Sequence, residues 1–187
     1  MYMQLLRNYV DIEHDQIGDP DEGLSYSLIH DVKVEVDGVE IEEVIGPVRL
    51  VDSTEYNPYI FCMYSLVFEN IKTERNTIDS RCLGFGDHAV VVKDRREFLK
   101  RLRLVFEKDC VSRLNGALVK YVNRESYNGE MGAFRKYDNY DYQLEYRYVW
   151  ENSGLNATAV TLKIGDLSDI AVLVPSEKLN SLIKRGE

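Results

Sequence analysis

Three polar residues in the last third of the chain, each two positions from the next, are the strongest candidates for chemistry: Gln143, Glu145 and Arg147. Residues two apart on a β-strand point to the same side, so this spacing puts an amide, a carboxylate and a guanidinium on one face. A carboxylate flanked by an arginine is expected to stay ionised, with a lowered pKa. Such a group suits accepting hydrogen bonds from a sugar or an amine rather than acting as a general acid.

The strand expected to carry these residues covers positions 140–150 and alternates throughout. One face holds Asp141 together with the three candidates, which are too many polar groups to bury without partners. That face is therefore either a solvent-exposed polar ladder or the wall of a polar cleft, and both interpretations stay open. The other face predicts burial against a core, because all its members are aromatic or apolar: Tyr140, Tyr142, Leu144, Tyr146, Tyr148 and Trp150.

Composition limits the classes of function. A chain of 187 residues can build one hydrophobic core, which predicts a single domain over residues 1–187. A formal net charge of −9 argues against general nucleic-acid binding, which needs a positive surface. No apolar run is long enough to span a membrane and no signal-peptide pattern is found, so we expect a cytoplasmic protein. The spacing of Cys62, Cys82 and Cys110 predicts neither a disulfide framework nor a metal site.

Other segments predict the elements around the candidate strand. Residues 32–44 alternate about Asp37-Gly38, which is the pattern of a tight β-hairpin. Residues 59–68 are apolar on both faces and predict a central strand. Residues 94–108 predict a helix with Asp94 as its N-cap. Because strands are grouped rather than alternating with helices, we predict an α+β fold with mainly antiparallel mixed sheets and two or three helices.

Two charged features can be read as surface or as function. The acidic turn of Asp19, Asp21 and Glu22 lacks the ligand spacing of a calcium loop, so we interpret it as a surface turn. The helix at 94–108 is interpreted as a solvated face rather than as a contact for an acidic partner or a phosphate. Its basic residues are Arg95, Arg96, Lys100, Arg101, Arg103 and Lys108.

Three segments resemble, in the same order, the signature motifs of a broad family of bacterial and phage-borne proteins without an established function. The first is Asp-Pro-Asp-Glu-Gly at 19–23, and the second is Phe-Cys-Met-Tyr-Ser at 61–65, where Met63 and Tyr64 are inserted before the serine. The third is Lys136 followed by Tyr-Gln-Leu-Glu-Tyr-Arg at 142–147. This resemblance adds Lys136 to the candidate ligand-binding residues.

The pair Gln143-x-Glu145 is also similar to the Gln-x-Glu motif of ADP-ribosyltransferases of the clostridial exoenzyme type. This resemblance implies NAD as cofactor, with Glu145 supporting an oxocarbenium-like transition state and Gln143 orienting the acceptor. Arg147 would bind a phosphate or fix Glu145, and Tyr64 or Tyr142 would stack on nicotinamide. The chain departs from those enzymes in lacking a strand arginine followed by Ser-Thr-Ser.

Two classes of function therefore stay open. One is an NAD-using ADP-ribosyl or glycosyl transferase with a nucleotide or another small-molecule ligand. The alternative is a non-enzymatic phage or mobile-element accessory protein that sequesters a nucleotide or engages a basic protein partner through its acidic surface. Whether Glu145 lies in a concave pocket or on an open sheet distinguishes them.

Overall fold

A computed structural model of the chain describes residues 1–13, 17–30, 32–51, 57–66, 77–108, 114–151 and 158–183. The β-strands within these ranges are β1 (Tyr2–Leu5), β2 (Tyr26–Leu28), β3 (Val34–Val36), β4 (Val39–Ile41), β5 (Val48–Leu50), β6 (Tyr59–Tyr64), β7 (His88–Val92), β8 (Leu114–Leu118), β9 (Lys120–Val122), β10 (Gly129–Glu130), β11 (Arg135–Tyr137), β12 (Glu145–Trp150), β13 (Val160–Thr161) and β14 (Ala171–Pro175). The α-helices are α1 (Ser80–Leu83), α2 (Arg95–Lys108) and α3 (Leu179–Leu182). Short 3-10 helices cover Leu6–Tyr9, Gly132–Phe134, Asp138–Gln143 and Ser176–Lys178. No helix in these ranges is both long and apolar enough to cross a membrane.

A five-stranded sheet in the order β13-β1-β6-β12-β8 forms the centre of the fold, and every neighbouring pair in it is antiparallel. The predicted central strand is confirmed as β6, the middle strand, although it ends at Tyr64 and the predicted positions 67–68 lie outside the described residues. Strand β12 pairs beside it, with Arg147 opposite Cys62. The candidate residues on β12 therefore lie in the interior of the sheet, not at an edge.

Smaller sheets surround this centre and confirm the α+β class. One has three strands in the order β10-β2-β5, and the pairs β7/β14 and β3/β4 are antiparallel. The pair β9/β11 is parallel. The fold is thus mixed but mainly antiparallel, as the grouped strands predict.

The aromatic face of β12 is buried against α2, as its alternation predicts. The ring of Trp150 lies 4.9 Å from that of Tyr59 and 5.2 Å from that of Phe106, between ring centroids. Leu102, one helical turn before Phe106, is fully buried in the same core. At the start of α2 the carboxylate of Asp94 accepts a hydrogen bond from the backbone N–H of Glu97 at 3.0 Å, so the predicted N-cap is confirmed.

The predicted strand is wrong over its first half. Residues Asp138–Gln143 form a 3-10 helix, Leu144 adopts a left-handed backbone conformation (φ 40°, ψ 53°), and β12 begins only at Glu145. Aspartate and asparagine are common in turns and uncommon in strands, and residues 138–141 contain three of them. Tyr140 and Tyr142 are nevertheless both buried, because the short helix packs them inward.

Candidate binding site at a buried ionic cluster

The polar face of β12 is covered by other parts of the chain. Glu145 is 7% exposed and Arg147 is 1% exposed. The interpretation of this face as a solvent-exposed polar ladder is therefore wrong. Burying charges in this way requires partners that neutralise them, and the chain supplies those partners from distant segments.

We call the group formed by Asp19, Glu22, Lys136, Glu145 and Arg147 the ionic cluster. Its central contact is the guanidinium of Arg147, which donates from Nη1 and Nη2 to the two carboxylate oxygens of Glu22 at 2.8 and 2.7 Å. The same side chain donates from Nε to Glu145 Oε2 at 2.7 Å. Paired N–H donors facing paired carboxylate oxygens form the strong bidentate geometry, which fixes both side chains.

Lys136 on β11 is the second cation of the ionic cluster. Its Nζ donates to Glu145 Oε1 at 3.1 Å and to Gln143 Oε1 at 2.9 Å. It also lies 3.5 Å from a carboxylate oxygen of Asp19 and 3.5 Å from one of Glu22. Glu145 therefore has a cation on each of its oxygens. Gln143 joins the site from the 3-10 helix rather than from the strand face on which it was predicted.

The acidic turn at 19–23 is not a surface turn, which corrects the prediction. Asp19 is 2% exposed and Glu22 is 5% exposed, and both carboxylates point into the ionic cluster. Asp21 points the other way and pairs with Arg124. The turn needs Gly23, because its φ is +77° and an added Cβ would lie 3.1 Å from the Cγ of Arg7.

Several residues that support the site carry no clear signal in the sequence. The hydroxyl of Tyr121 accepts a hydrogen bond from the backbone N–H of Glu145 at 3.0 Å. Tyr137 donates to the fully buried Ser27 at 2.9 Å. The one usable signal was the excess of polar groups on one face of the predicted strand, which need partners if that face is buried.

Charge within the ionic cluster sets the ionisation of its members. Burial alone would raise the pKa of Glu145, but the charges of Arg147 and Lys136 outweigh it and lower that pKa to about 2. Burial opposes the charge on Lys136, yet Glu145 and Glu22 raise the pKa of its ammonium group. The prediction that Glu145 stays ionised beside an arginine is confirmed in direction, and its cause is two cations rather than one.

The pKa of Asp19 is shifted in the opposite direction from that of Glu145, so its effect on stability depends on pH in the opposite sense. Burial, only partly offset by Lys136, raises the pKa of Asp19 from 3.8 to about 6. Because the pKa of Asp19 is higher in the folded state than in the unfolded state, protonated Asp19 contributes stability to the fold. This contribution is fully present below about pH 4 and is lost as the pH rises through about 6. Between pH 8 and pH 5 the wild type should therefore gain about 1–2 kcal/mol from this group.

In Asp19→Asn this gain should be absent, because the asparagine does not titrate. Urea unfolding of both proteins at pH 5 and pH 8 measures the difference directly. A wild type and a variant whose unfolding free energies change in parallel between the two pH values would contradict the assignment to Asp19.

Cys62 lies on β6 opposite Arg147, on the side of the ionic cluster. Burial and the neighbouring Glu145 carboxylate raise the pKa of its thiol well above the ordinary value. A thiol that stays protonated is a poor nucleophile. Cys110 lies outside the described residues.

Four members of the ionic cluster line one part of a cleft of about 1250 Å³, and we call this part the floor: Glu22, Lys136, Glu145 and Arg147. The rest of its lining includes residues of β7, of α3 and of both faces of β6. Ligand sites typically have volumes of about 300–1,000 Å³, mostly apolar walls and a few convergent polar groups. The polar lining residues that matter here are Glu22, Cys62, Lys136, Gln143, Glu145 and Arg147.

The two tyrosines predicted to stack on a ligand are placed differently. Tyr64 lines the cleft at the end of β6, directly opposite Glu145 in the strand pairing. Tyr142 is 6% exposed, and the guanidinium of Arg81 lies 3.6 Å from its ring centroid. Of the two, Tyr64 is the side chain placed to contact a ligand.

The ionic cluster offers a metal no arrangement of ligands that the geometry supports. In the part of the chain that the structure describes, no three or more His, Cys, Asp or Glu side chains are grouped to hold a metal ion. Lys136 and Arg147 lie between the three carboxylates. The cluster is therefore a mixed-charge site.

The three segments that resemble the phage and bacterial family meet at this one place. Asp19 and Glu22 come from the first, Cys62 from the second, and the remaining cluster residues from the third. Comparisons with protein-family models, with curated proteins and with solved structures give no match for this chain. Membership of that family stays a prediction, and the case for function depends on the geometry of the site.

Proposed function

We propose that the protein binds a nucleotide of the NAD type in the cleft and uses it as the donor for ADP-ribosyl or glycosyl transfer. One observation carries the proposal: the carboxylate of Glu145 is held ionised between Lys136 and Arg147 on the floor of a cleft. A fixed, ionised carboxylate is the group that stabilises positive charge developing at an anomeric carbon.

The roles of the other residues follow from their contacts. Gln143, whose carbonyl is fixed by Lys136, orients the acceptor. Tyr64 stacks on the base or on nicotinamide from the cleft wall. Arg147 fixes Glu145 rather than binding phosphate, because its donors are already directed at Glu22, at Glu145 and at the backbone carbonyl of Ala133.

The charges on the floor favour contact with the nicotinamide end of such a ligand over contact with its phosphates. The floor contains two carboxylates and two cations, and both cations already contact carboxylates. A phosphate on this floor would have to compete with those carboxylates for the cations, whereas a cationic ring or a hydroxyl-bearing sugar can contact the carboxylates directly. The oxidised nicotinamide ring of NAD carries a positive charge, so we place that ring at the floor and the phosphates toward the mouth.

Isothermal titration calorimetry with NAD⁺, NADH and ADP-ribose tests this proposal. NADH matches NAD⁺ in size but has an uncharged nicotinamide, so NAD⁺ should bind about tenfold or more tightly than NADH. If ADP-ribose binds but the two dinucleotides do not differ, the floor does not recognise the cation. Failure of all three to bind at millimolar concentration would contradict the proposal as a whole.

Glu145→Gln separates chemistry from binding. The variant keeps two carboxylates for two cations, so we expect it to fold. Release of nicotinamide from NAD⁺ should fall by on the order of 10²-fold, because the charge that supports the transition state is gone. Glu35→Gln on the exposed strand β3 makes the same chemical change away from the cleft and should leave the rate unchanged.

A protein that binds NAD⁺ with no release of nicotinamide in either form would be a sequestering protein, the non-enzymatic alternative. The proposed setting is the cytoplasm, because Cys62 and Cys82 are free thiols. A basic protein partner, engaged through the acidic surface of the protein, is the other alternative.

A further inference from the structure

The hairpin β3–β4 has one entirely apolar face. Val34 pairs with Ile41 and Val36 pairs with Val39, so these four side chains lie on the same side, and Glu35 and Glu40 lie on the other. Val36, Val39 and Ile41 are 53%, 67% and 44% exposed. Asp37 and Gly38 form the predicted tight turn, with φ values of 52° and 82°.

This hairpin is a separate two-stranded sheet. Within the described ranges β3 and β4 pair with each other and with no third strand. A two-stranded hairpin is at best marginally stable in water, and a continuous exposed apolar face is typical of an interaction surface. Ile45, four residues beyond β4, is also 95% exposed. The apolar face of the hairpin therefore has the features of an interaction surface.

The net charge of the hairpin limits which surfaces can bind to its apolar face. Residues 33–43 carry one lysine against five exposed acidic residues, which are Glu35, Asp37, Glu40, Glu42 and Glu43. Two such hairpins packed face to face would repel each other. The complementary surface must be basic around an apolar contact, because rim charges of opposite sign favour association.

The outward side of α2 has these properties. Arg96, Lys100, Arg103 and Leu104 follow one another at intervals that place them on one side of the helix, opposite the buried Phe98 and Leu102. All four are exposed, Leu104 by 47%. The aliphatic stems of arginine and lysine extend the apolar contact that Leu104 begins, and their charged ends suit an acidic rim.

We infer that the hairpin of one copy docks on the outward side of α2 of a second copy, and that the second hairpin docks in the same way on the first helix. The protein then associates with itself through two equivalent contacts of opposite charge. A reciprocal arrangement closes as a dimer, whereas a one-way contact would continue into a filament. This inference is independent of any ligand in the cleft.

Sedimentation velocity over a range of protein concentrations tests the contact. The wild type should associate, and association should weaken between about 0.1 and 1 M salt, where the screening length falls from about 10 Å to about 3 Å. The double variant Arg96→Glu/Arg103→Glu should lower the association constant by about tenfold or more. The control Lys163→Glu/Lys178→Glu changes two exposed lysines elsewhere, gives the same net charge and should change it by about twofold or less.

Mixing two charge-reversed proteins gives the decisive measurement. Glu35→Lys/Glu42→Lys/Glu43→Lys changes the net charge of residues 33–43 from −4 to +2, so neither it nor Arg96→Glu/Arg103→Glu should self-associate. An equimolar mixture of the two should associate, because both contacts then have opposite charges again. A wild type that is monomeric at every concentration would overturn the inference. So would association that the helix variant and its control weaken equally, or a mixture that does not associate.

Discussion

Arg147→Met is expected to lower the free energy of unfolding by about 3–5 kcal/mol, because it leaves buried carboxylates without their partner. Arg147 contacts both oxygens of Glu22 and one of Glu145, and it is 1% exposed. Methionine fills part of the same space, so the loss comes mainly from charge rather than from a cavity. Lys136 would then be the only cation facing the three carboxylates of the ionic cluster.

Urea or guanidinium unfolding at pH 7 measures this loss. Lys163→Met is the control, since Lys163 is an exposed cation outside both the ionic cluster and α2, and we expect a change within about 0.5 kcal/mol there. Adding Glu22→Gln to Arg147→Met should recover part of the stability, because it removes one of the unpaired charges. A loss below about 1 kcal/mol in Arg147→Met would show that water reaches the ionic cluster and screens it.

Acid should destabilise the protein through Glu145. Its pKa is lowered to about 2 from 4.5, so its stability contribution is present above about pH 4.5 and is lost as the pH falls through about 2. The shift corresponds to about 3 kcal/mol, lost progressively over that range. Its physical cause is the need to protonate a carboxylate that accepts hydrogen bonds from both Lys136 and Arg147.

Unfolding free energies of the wild type and of Glu145→Gln, compared from pH 5 to pH 2.5, isolate this contribution. The half-buried Glu97 and the exposed Asp166 and Asp169 also have lowered pKa values, but they are common to both proteins and cancel in the difference. The wild type should approach the variant in stability as the pH falls. A difference between the two proteins that stays constant over the range would contradict the assignment to Glu145.

Asp19 and Glu145 give the ionic cluster two opposite responses to pH. Asp19 stabilises the fold when it is protonated and Glu145 when it is ionised, and both pKa shifts arise in one buried site. Together they place the stability optimum of the cluster at mildly acidic pH, between about 4 and 6. Burial accounts for the raised pKa of Asp19, and the charges of Arg147 and Lys136 account for the lowered pKa of Glu145.

The sequence by itself determined those features that depend on neighbours along the chain. The alternation from Glu145 to Trp150 placed the aromatic residues on one face and the charged ones on the other. The Asp37-Gly38 turn and the Asp94 N-cap follow from local backbone chemistry, and both are confirmed. The ionised state of Glu145 beside Arg147 could also be predicted, because the two residues share one strand face.

At residues 140–144 the alternation of side-chain types predicted the wrong secondary structure. The alternation at 140–144 has the same period as that of β12, but Asp138–Gln143, which begins with two turn-favouring residues, forms a 3-10 helix. Pattern alone does not distinguish the two outcomes, since Tyr140 and Tyr142 are buried in either case. The position of Gln143 in the site could not be predicted for this reason.

Only the tertiary structure decided that the charged face of β12 is the floor of a cleft. Glu22 and Arg147 are separated by 125 positions, and nothing in the turn at 19–23 indicates that two of its carboxylates point inward. A buried charge needs a partner of opposite charge. Which residue becomes that partner depends on the order of the strands in the sheet rather than on the local sequence. The pairing of β6 with β12 and the packing of the acidic turn over them convert a pattern of polar residues into a single site.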